Sequence, residues 1–239
     1  MTDWAVIGHD GERARAFVMQ GARIVQEATA PDESAARAML ASMPHRIFRV
    51  GEGQGDRLPA QIMPQGARGL APLVQDNPPD VIDAWVRLLL IGLLQGRTQW
   101  DGVAWVVGRD LSHWVHLSAG EAISCQSFMT PRLVRLLGGA AEPCDVALAD
   151  TLSRPERLAA YLRGAEVRGS ATALTGHLLA AELAAARPYW LGQNVGLVAS
   201  GDAAESYAVA LRGLGVPVER IAPESLIAPA LAAIDGAMV

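Results

Sequence analysis

A four-residue pattern occurs twice in this chain of 239 residues, one hundred positions apart. Ile7-Gly8-His9-Asp10 and Val107-Gly108-Arg109-Asp110 each follow a short apolar run and begin a turn. After each turn, apolar and polar residues alternate, and a further turn and strand follow, which is typical of antiparallel strands. Two three-stranded meanders are therefore predicted, and such a repeat indicates two similar units within one chain.

The residues around the two meanders predict helices and further strands. In the first half we expect strands at 4–8, 13–19, 23–28 and 46–50, helices at 32–43 and 80–95, and a loop rich in Pro, Gly and Gln at 56–80. In the second half we expect strands at 103–107, 113–117, 122–129, 195–199 and 216–221 and helices at 132–137, 154–164, 171–186, 203–213 and 223–234.

This arrangement predicts an α/β fold with a domain boundary near residue 98. Two meander-plus-helix units, each with a turn at its first hairpin, resemble the plan of the actin and sugar-kinase folds. We therefore expect two ribonuclease-H-like domains, 1–98 and 99–239, of the actin/sugar-kinase type around a central cleft. The resemblance implies that the two hairpin turns hold nucleotide phosphates from opposite sides.

Composition excludes several classes of protein. All 20 basic residues are Arg, which excludes Schiff-base enzymes, P-loop NTPases and kinases that need an essential Lys. The net charge is −5, so no nucleic-acid partner is expected. Cys125 and Cys144 are too few for a Cys-rich zinc site. The most apolar run, Val86–Leu94, is shorter than the ~20 residues that span a bilayer, and no signal peptide precedes the first strand. We expect a cytoplasmic protein without a membrane partner.

Several segments in chain order resemble one known family. They are Trp100–Val103, His113–Glu121, Ser127–Thr130 and Leu178–Gln193, with weaker matches at Val50–Gly55 and Pro78–Ile82. The sequence in these segments is similar to that of 2-dehydro-3-deoxygalactonokinases. That family phosphorylates a 2-oxo-3-deoxy sugar acid with ATP and magnesium. The resemblance thus implies a small sugar-acid substrate and, if the chain is active, ATP and Mg²⁺ as cofactors; otherwise it implies none.

The family's catalytic signatures are altered at four places. Its first phosphate loop falls on the turn that contains Gly8, His9, Asp10 and Gly11, and its metal-organising Asp falls on Gly8. Its second phosphate loop falls on 108–114. The family's Arg-Gly-Glu-Glu and Thr-Gly-Glu segments fall on 83–86 and 130–132, where this chain reads Asp-Ala-Trp-Val and Thr-Pro-Arg.

Charge and size decide what the altered phosphate turns can do. A hard carboxylate ligand is what magnesium requires, and Gly8 has none, so Asp10 is the replacement metal ligand that the first turn offers; the alternative is a polar turn residue. Gly108, Arg109 and Asp110 are the corresponding positions in the second turn. Arg109 is either a phosphate ligand through its guanidinium fork or a solvated turn residue. Acidic side chains in both turns would repel a triphosphate.

Two further segments are candidate ligand contacts. The resemblance places Gly51 and Gln54 in a substrate-side loop; a dinucleotide-binding fingerprint is excluded there because Arg57-Leu58-Pro59 follows instead of a helix. Ser200 and Gly201 follow a strand and begin a helix, whose N-terminus is a candidate for adenine-side or anionic groups. Capping of the helix by Asp202 is the alternative.

The segment that most closely matches the family lies in a helix rather than in a turn. Leu178–Trp190 has many large apolar residues, so we expect it to be buried in the core or in a homodimer contact. His177 and Glu182 lie five positions apart and are interpreted as a boundary His and a solvated or capping Glu.

Two functions are consistent with these observations. The first is a sugar-acid kinase that transfers phosphate from ATP to 2-dehydro-3-deoxygalactonate. The second is a catalytically impaired kinase-like protein with a binding or regulatory role. No residue is assigned as the catalytic base.

Overall fold

A computed structural model of the protein describes residues 3–64, 69–97 and 100–237. Contacts between Cα atoms divide the chain into two compact units. The first unit contains Met1–Asp101, Leu117–Cys125 and Pro223–Val239, and the second contains Gly102–His116 and Gln126–Ala222. The domain boundary predicted near residue 98 lies outside the described residues.

The elements of the first hundred residues are mostly strands. They are β1 (Asp3–His9), β2 (Ala14–Gln20), β3 (Arg23–Ala30), α1 (Glu33–Ala38), β4 (Ile47–Val50), β5 (Asp56–Arg57), β6 (Ala60–Gln61), β7 (Gly69–Leu70), β8 (Leu73–Asp76), β9 (Pro79–Ile82) and α2 (Ala84–Leu94).

After a second meander, the rest of the chain is mainly helical. The elements are β10 (Gly102–Val107), β11 (Ser112–Ser118), β12 (Glu121–Phe128), α3 (Thr130–Leu136), α4 (Asp145–Ser153), a short 3₁₀ helix (Pro155–Arg157), α5 (Leu158–Val167), α6 (Ala171–Ala185), α7 (Arg187–Trp190), β13 (Val195–Val198), α8 (Gly201–Gly213), β14 (Val218–Ile221) and α9 (Glu224–Ala237).

The sheet order repeats between the two halves of the chain, and the predicted α/β fold is confirmed. One sheet has the order β3-β2-β1-β4-β7, and another has β14-β13-β10-β11-β12-β6. In both, a meander presents its first strand to two further strands: β4 and β7 run parallel in the first sheet, as do β13 and β14 in the second. The repeated pattern in the sequence therefore corresponds to a repeated topology.

The prediction of a loop over residues 56–80 is wrong, because this segment contains short strands. β5 pairs with β8, and β8 pairs with β9 in an antiparallel register that places Leu73 opposite Ile82. Strands of two to four residues are too short for apolar alternation to be visible in the sequence. Because β9 uses residues up to Ile82, α2 begins at Ala84, and the Asp83 side chain caps it by accepting a hydrogen bond from Val86 N at 2.9 Å.

Two helices differ from the prediction. α1 ends at Ala38, although the Ala-rich composition predicts a helix to residue 43, and its N-terminus is capped by Asp32, which accepts from Ala35 N at 2.8 Å. α4 is absent from the prediction because its sequence has no clear apolar face. It packs on α6 at Gly176, where a Cβ atom would lie only 2.7 Å from Cys144 O. Tertiary contact therefore stabilises α4.

Each unit has its own apolar core. In the first unit, Ile7, Ala16 and Val18 pack with residues of β3 and α1. α2 also lies against α9, so closely that a Cβ atom on Gly92 would be 2.1 Å from Leu226 O. In the second unit, Trp105 and Trp114 stack with ring centroids 4.2 Å apart. Within the described residues, no helix is long and apolar enough to cross a membrane.

Candidate functional site

The first predicted phosphate turn is held in shape by its own side chains. β1 ends at His9, and Asp10 Oδ1 accepts hydrogen bonds from the backbone N–H groups of Glu12 and Arg13 at 2.9 and 2.8 Å. His9 Nδ1 accepts from Gly11 N at 3.1 Å, and Gly11 has a φ of +94°, which favours glycine. One oxygen of Asp10 is therefore committed to the turn itself.

No space exists for a side chain at Gly8. A Cβ atom built on Gly8 would lie 2.7 Å from Val50 Cβ and 3.3 Å from Cε3 of Trp85. Trp85 is buried on α2 and occupies a position where the resembled family has a carboxylate. The volume beside Gly8 is therefore filled by the two apolar side chains, and a carboxylate at this position would require both of them to move.

We expect Gly8→Ala to lower the free energy of unfolding by about 1–3 kcal/mol, because one added methyl group overpacks the contact with Val50 and Trp85. Urea denaturation measures the change. Gly213→Ala is the matched control: a Cβ atom there meets nothing within 4 Å, and Ala in the helix should stabilise the protein by up to about 1 kcal/mol. A Gly8→Ala variant as stable as the wild type would show that this space is available.

Arg15 fills the polar part of the same region of the first unit. It is paired opposite Gly8 in the β1–β2 register, and its guanidinium makes two hydrogen bonds of 3.0 Å to the carboxylate of Glu224 at the start of α9. It also lies over the rings of Phe17 and Trp85, 5.5 and 5.6 Å from their centroids. The hydrogen bond with Glu224 raises the pKa of Arg15. A fixed positive charge therefore stands at the base of the first turn.

The side chains around the first turn do not fit a magnesium ion. Asp10 Oδ2 lies 3.5 Å from the Arg15 guanidinium, while Asp10 Oδ1 caps the turn, so both oxygens already have partners. Within residues 3–64, 69–97 and 100–237, no group of three or more His, Cys, Asp or Glu side chains is arranged to hold a metal ion. Magnesium prefers several hard oxygen ligands with octahedral geometry, and this donor set does not supply them.

The second predicted phosphate turn joins β10 to β11 and carries several charges. Gly108 N donates to Leu111 O at 2.9 Å and closes the turn. The Asp110 carboxylate pairs with the Arg135 guanidinium and lies 4.0 Å from Arg132 Nε. The hydrogen bond from Arg135 holds the pKa of Asp110 below its usual value, with further contributions from Arg132 and Arg109. The acidic side chain of this turn is therefore balanced by arginines.

The predicted substrate-side loop lies between two cavities of the first unit. One, of about 370 Å³, is lined by Gly8, His9 and Gly51 together with charged side chains of α1 and β4. The other, of about 600 Å³, is lined by Gln54 and its neighbours. The structure thus brings Gly51 together with the first turn and places Gln54 in the adjacent cavity.

The predicted nucleotide-side residues begin α8 in the second unit. Ser200 is the N-cap residue, with extended backbone, and Gly201 has a φ of +64°. Asp202 lies in the first turn of the helix and is exposed, so it is not the N-cap residue. Ser200 makes no side-chain capping bond within the described residues.

A buried carboxylate, Glu182, is the main polar feature that the sequence interpretation missed. Its Oε1 accepts hydrogen bonds from Trp105 Nε1 at 3.0 Å, Trp114 Nε1 at 2.9 Å and Ser112 Oγ at 2.7 Å. The interpretation as a solvated or capping Glu is wrong, because the residue is 2% exposed. α6 is apolar on all sides, and this pattern indicates a buried helix whose polar residues are also buried.

His177, on the same helix, is buried as well, so the interpretation as a boundary residue is wrong. Its Nδ1 lies 2.9 Å from Thr151 Oγ1, and its ring stacks on Tyr161 with centroids 5.0 Å apart. Burial lowers the pKa of His177. The residue therefore contributes to packing between α4, α5 and α6.

Comparison with known proteins agrees with the resemblance found in the sequence. Residues 149–234 match the model of the family described as 2-keto-3-deoxy-galactonokinase. A search of curated protein sequences finds no match.

Solved structures match the fold over nearly the whole chain. The provisionally assigned 2-dehydro-3-deoxygalactonokinase of Sinorhizobium meliloti is 19% identical, with a TM-score of 0.80 and 97% of each chain covered. Component A of the (R)-2-hydroxyglutaryl-CoA dehydratase of Acidaminococcus fermentans is 11% identical, with a TM-score of 0.53 and coverage of 99% of this chain and 97% of that one. The provisionally assigned N-acetylglucosamine kinase of Porphyromonas gingivalis is 11% identical, with a TM-score of 0.51 and coverage of 98% and 99%.

The sequence resemblance is thereby confirmed: residues 149–234 are similar to the 2-keto-3-deoxy-galactonokinase family, and the chain has the α/β fold shared by actin-like ATPases and sugar kinases.

Proposed function

We propose that this protein is a kinase-like binding protein that has lost the transfer of phosphate from ATP. The observation that carries the proposal is the filled space at Gly8, where Val50 and Trp85 leave no room for a carboxylate. The resemblance places the metal-organising Asp of the family at this position. Phosphate transfer depends on positioning and on neutralising the transferring group, and the first turn lacks the carboxylate that would organise the metal.

The electrostatics of the first turn support the same proposal. Asp10 is held by two backbone N–H groups and lies beside Arg15, while Arg15 is held by Glu224. Replacing these contacts with a metal and a triphosphate would break an ion pair that is partly buried. Loss of a single preorganised catalytic contact commonly costs about 10²–10³ in rate, so the combined changes leave little transfer.

The position of the family match is consistent with a retained framework. Residues 149–234 include Ser200 and Gly201 but neither phosphate turn and neither of the loop residues Gly51 and Gln54. The part that remains similar to the family is therefore mainly the helical core of the second unit. We infer that the buried framework has been retained while the turns have changed.

A second candidate is an active sugar-acid kinase that phosphorylates 2-dehydro-3-deoxygalactonate with ATP and magnesium. The family match favours it. The charge of the second turn favours it as well, because Arg109, Arg132 and Arg135 surround the single carboxylate of Asp110. Guanidinium groups are good phosphate ligands, so this turn by itself would not exclude a nucleotide.

Nucleotide binding and turnover distinguish the two candidates. We expect no ADP release above background when the protein is mixed with ATP, Mg²⁺ and 2-dehydro-3-deoxygalactonate, and no micromolar ATP affinity by calorimetry. An active kinase of the family serves as the positive control. Micromolar affinity together with turnover would establish the second candidate instead. In that case, loss of both in Asp10→Ala would identify Asp10 as the metal ligand.

A further inference from the structure

A cavity of about 600 Å³ lies within the first unit, beside the loop that follows β4. Its polar lining includes Glu52, Gln54, Asp56, Gln61 and Arg87. Cavities that bind small molecules commonly measure about 300–1,000 Å³ and contain a few convergent polar groups. The size and lining of this cavity therefore suit a small polar molecule.

Arg87 holds the walls of this cavity together. The side chain is 1% exposed on α2, and its guanidinium donates to Ile62 O at 2.9 Å, Gln61 O at 2.8 Å, Ala71 O at 2.9 Å and the carboxylate of Asp56 at 2.7 Å. Three separate chain segments are thus tied to one buried group. A cavity held in this way is preorganised, which lowers the entropic cost of binding.

Two glycines allow the loop to lie directly on the neighbouring segment. Gly53 and Gly55 have φ values of +122° and +90°. A Cβ atom on Gly53 would be 2.9 Å from Ala71 Cβ, and one on Gly55 would be 2.6 Å from Val74 Cγ2. The loop backbone is therefore fixed against β8 and the residues before it, while the side chain of Gln54 between the two glycines is exposed.

The charges of the described lining are balanced. Asp56 is paired with Arg87, and Glu52 lies 3.8 Å from Arg49 Nε. Carboxylate and amide oxygens nevertheless outnumber available donors, because Arg87 spends its hydrogen bonds on carbonyls and on Asp56. A ligand that complements this lining brings donors but no net charge. Hydroxyl groups meet both requirements, since each donates a hydrogen bond without a charge.

We propose that this cavity binds a neutral polyhydroxylated molecule, a sugar or a polyol, through its hydroxyl groups. The inference rests on the proposed function, because it takes binding without phosphate transfer as the role of the protein. It differs from the sugar acid implied by the family resemblance, since a carboxylate on the ligand would face Glu52 and Asp56. The exposed oxygens of Glu52 and Gln54 are the expected contacts.

Calorimetry with three matched probes tests the charge of the ligand. Galactitol is neutral, galactonate carries the same type of hydroxylated chain with a carboxylate, and galactosamine carries an ammonium group. We expect galactitol to bind and galactonate to bind at least about tenfold more weakly. Equal or tighter binding of galactonate, or a preference for galactosamine, would overturn the neutral assignment, and absence of binding by all three would overturn the cavity as a polyol site.

Variants test the location. Glu52→Gln and Gln54→Ala should each weaken galactitol binding by about three- to tenfold, the range expected for loss or weakening of one hydrogen bond. Glu27→Gln, at an exposed position on β3 outside the cavity lining, removes the same charge as Glu52→Gln and should leave binding unchanged. Unaltered binding in both cavity variants would refute this cavity while leaving a binding role in place. ATP-dependent turnover, by contrast, would refute only the loss of phosphate transfer.

Discussion

Replacement of Trp190 by Ala is expected to lower the free energy of unfolding by about 3–5 kcal/mol, without changing the mass of the protein in solution. The indole is 6% exposed and packs in the core of the second unit with Leu179, Leu183 and Val195. Its Nε1 donates to Leu183 O at 2.8 Å. The variant therefore loses a large apolar contact and leaves a cavity that the surrounding strands and helices cannot fill.

This burial decides between the two roles that the sequence allows for Leu178–Trp190. Leu178, Leu179 and Leu183 are buried within the chain, so a subunit contact is not needed to explain why Trp190 is apolar. Homodimer formation remains a prediction that light scattering of the wild type tests.

A melting curve and light scattering on Trp190→Ala measure both expectations. Leu191→Ala is the control, because the neighbouring Leu191 side chain is 56% exposed and its removal should change stability by no more than about 0.5 kcal/mol. A folded Trp190→Ala variant with smaller mass than the wild type would place Trp190 in a subunit contact, and an unchanged melt would contradict its place in the core.

Replacement of Glu182 by Leu is expected to destabilise the second unit by at least about 3 kcal/mol. Leu removes the shared acceptor of Trp105, Trp114 and Ser112. Each buried donor left without an acceptor costs about 1–3 kcal/mol. Because Ser112 begins β11 directly after the second turn, we also expect faster hydrogen exchange in the hairpin between β10 and β11. Glu182→Gln is the control, since its amide oxygen can still accept these bonds.

The stability contributed by Glu182 should also depend on pH. Burial raises the pKa of Glu182, while the surrounding hydroxyl and indole donors oppose that rise. A carboxyl group with a raised pKa in the folded state stabilises the fold most when it is protonated, below its unfolded pKa of about 4.3. That contribution falls as the pH increases from there through the raised pKa.

Thermal unfolding of the wild type and of Glu182→Gln between pH 4 and pH 9 measures this contribution. We expect the difference between them to shift in favour of Glu182→Gln as the pH rises, because the amide does not ionise. A constant difference across the range would show that the pKa of Glu182 is the same in the folded and unfolded states. Leu at this position should be destabilising at every pH.

The sequence by itself determined the repeated meanders, the α/β class and the positions of the turns. These features depend on local signals: Asp-Gly and Gly-containing turns, alternation along β1 to β3, and apolar runs at 84–94 and 171–185. The short strands between residues 56 and 82 were missed because pairs such as β5 with β8 join segments too short to show a period. Element ends were also less accurate, as α1 shows, since a cap or a neighbouring strand decides where a helix stops.

Only the tertiary structure decided the state of the candidate site. In the sequence, Gly8 is a missing carboxylate; in the fold, it is also a position with no room for one, because Trp85 from a distant helix lies beside it. Glu182 is a single acid in an apolar helix until β10 and β11 bring two indoles and a hydroxyl to it. Arg87 likewise joins three segments that are separate in the chain. Free volume, burial and hydrogen-bond partners are properties of residues distant in sequence, so local patterns carry no information on them.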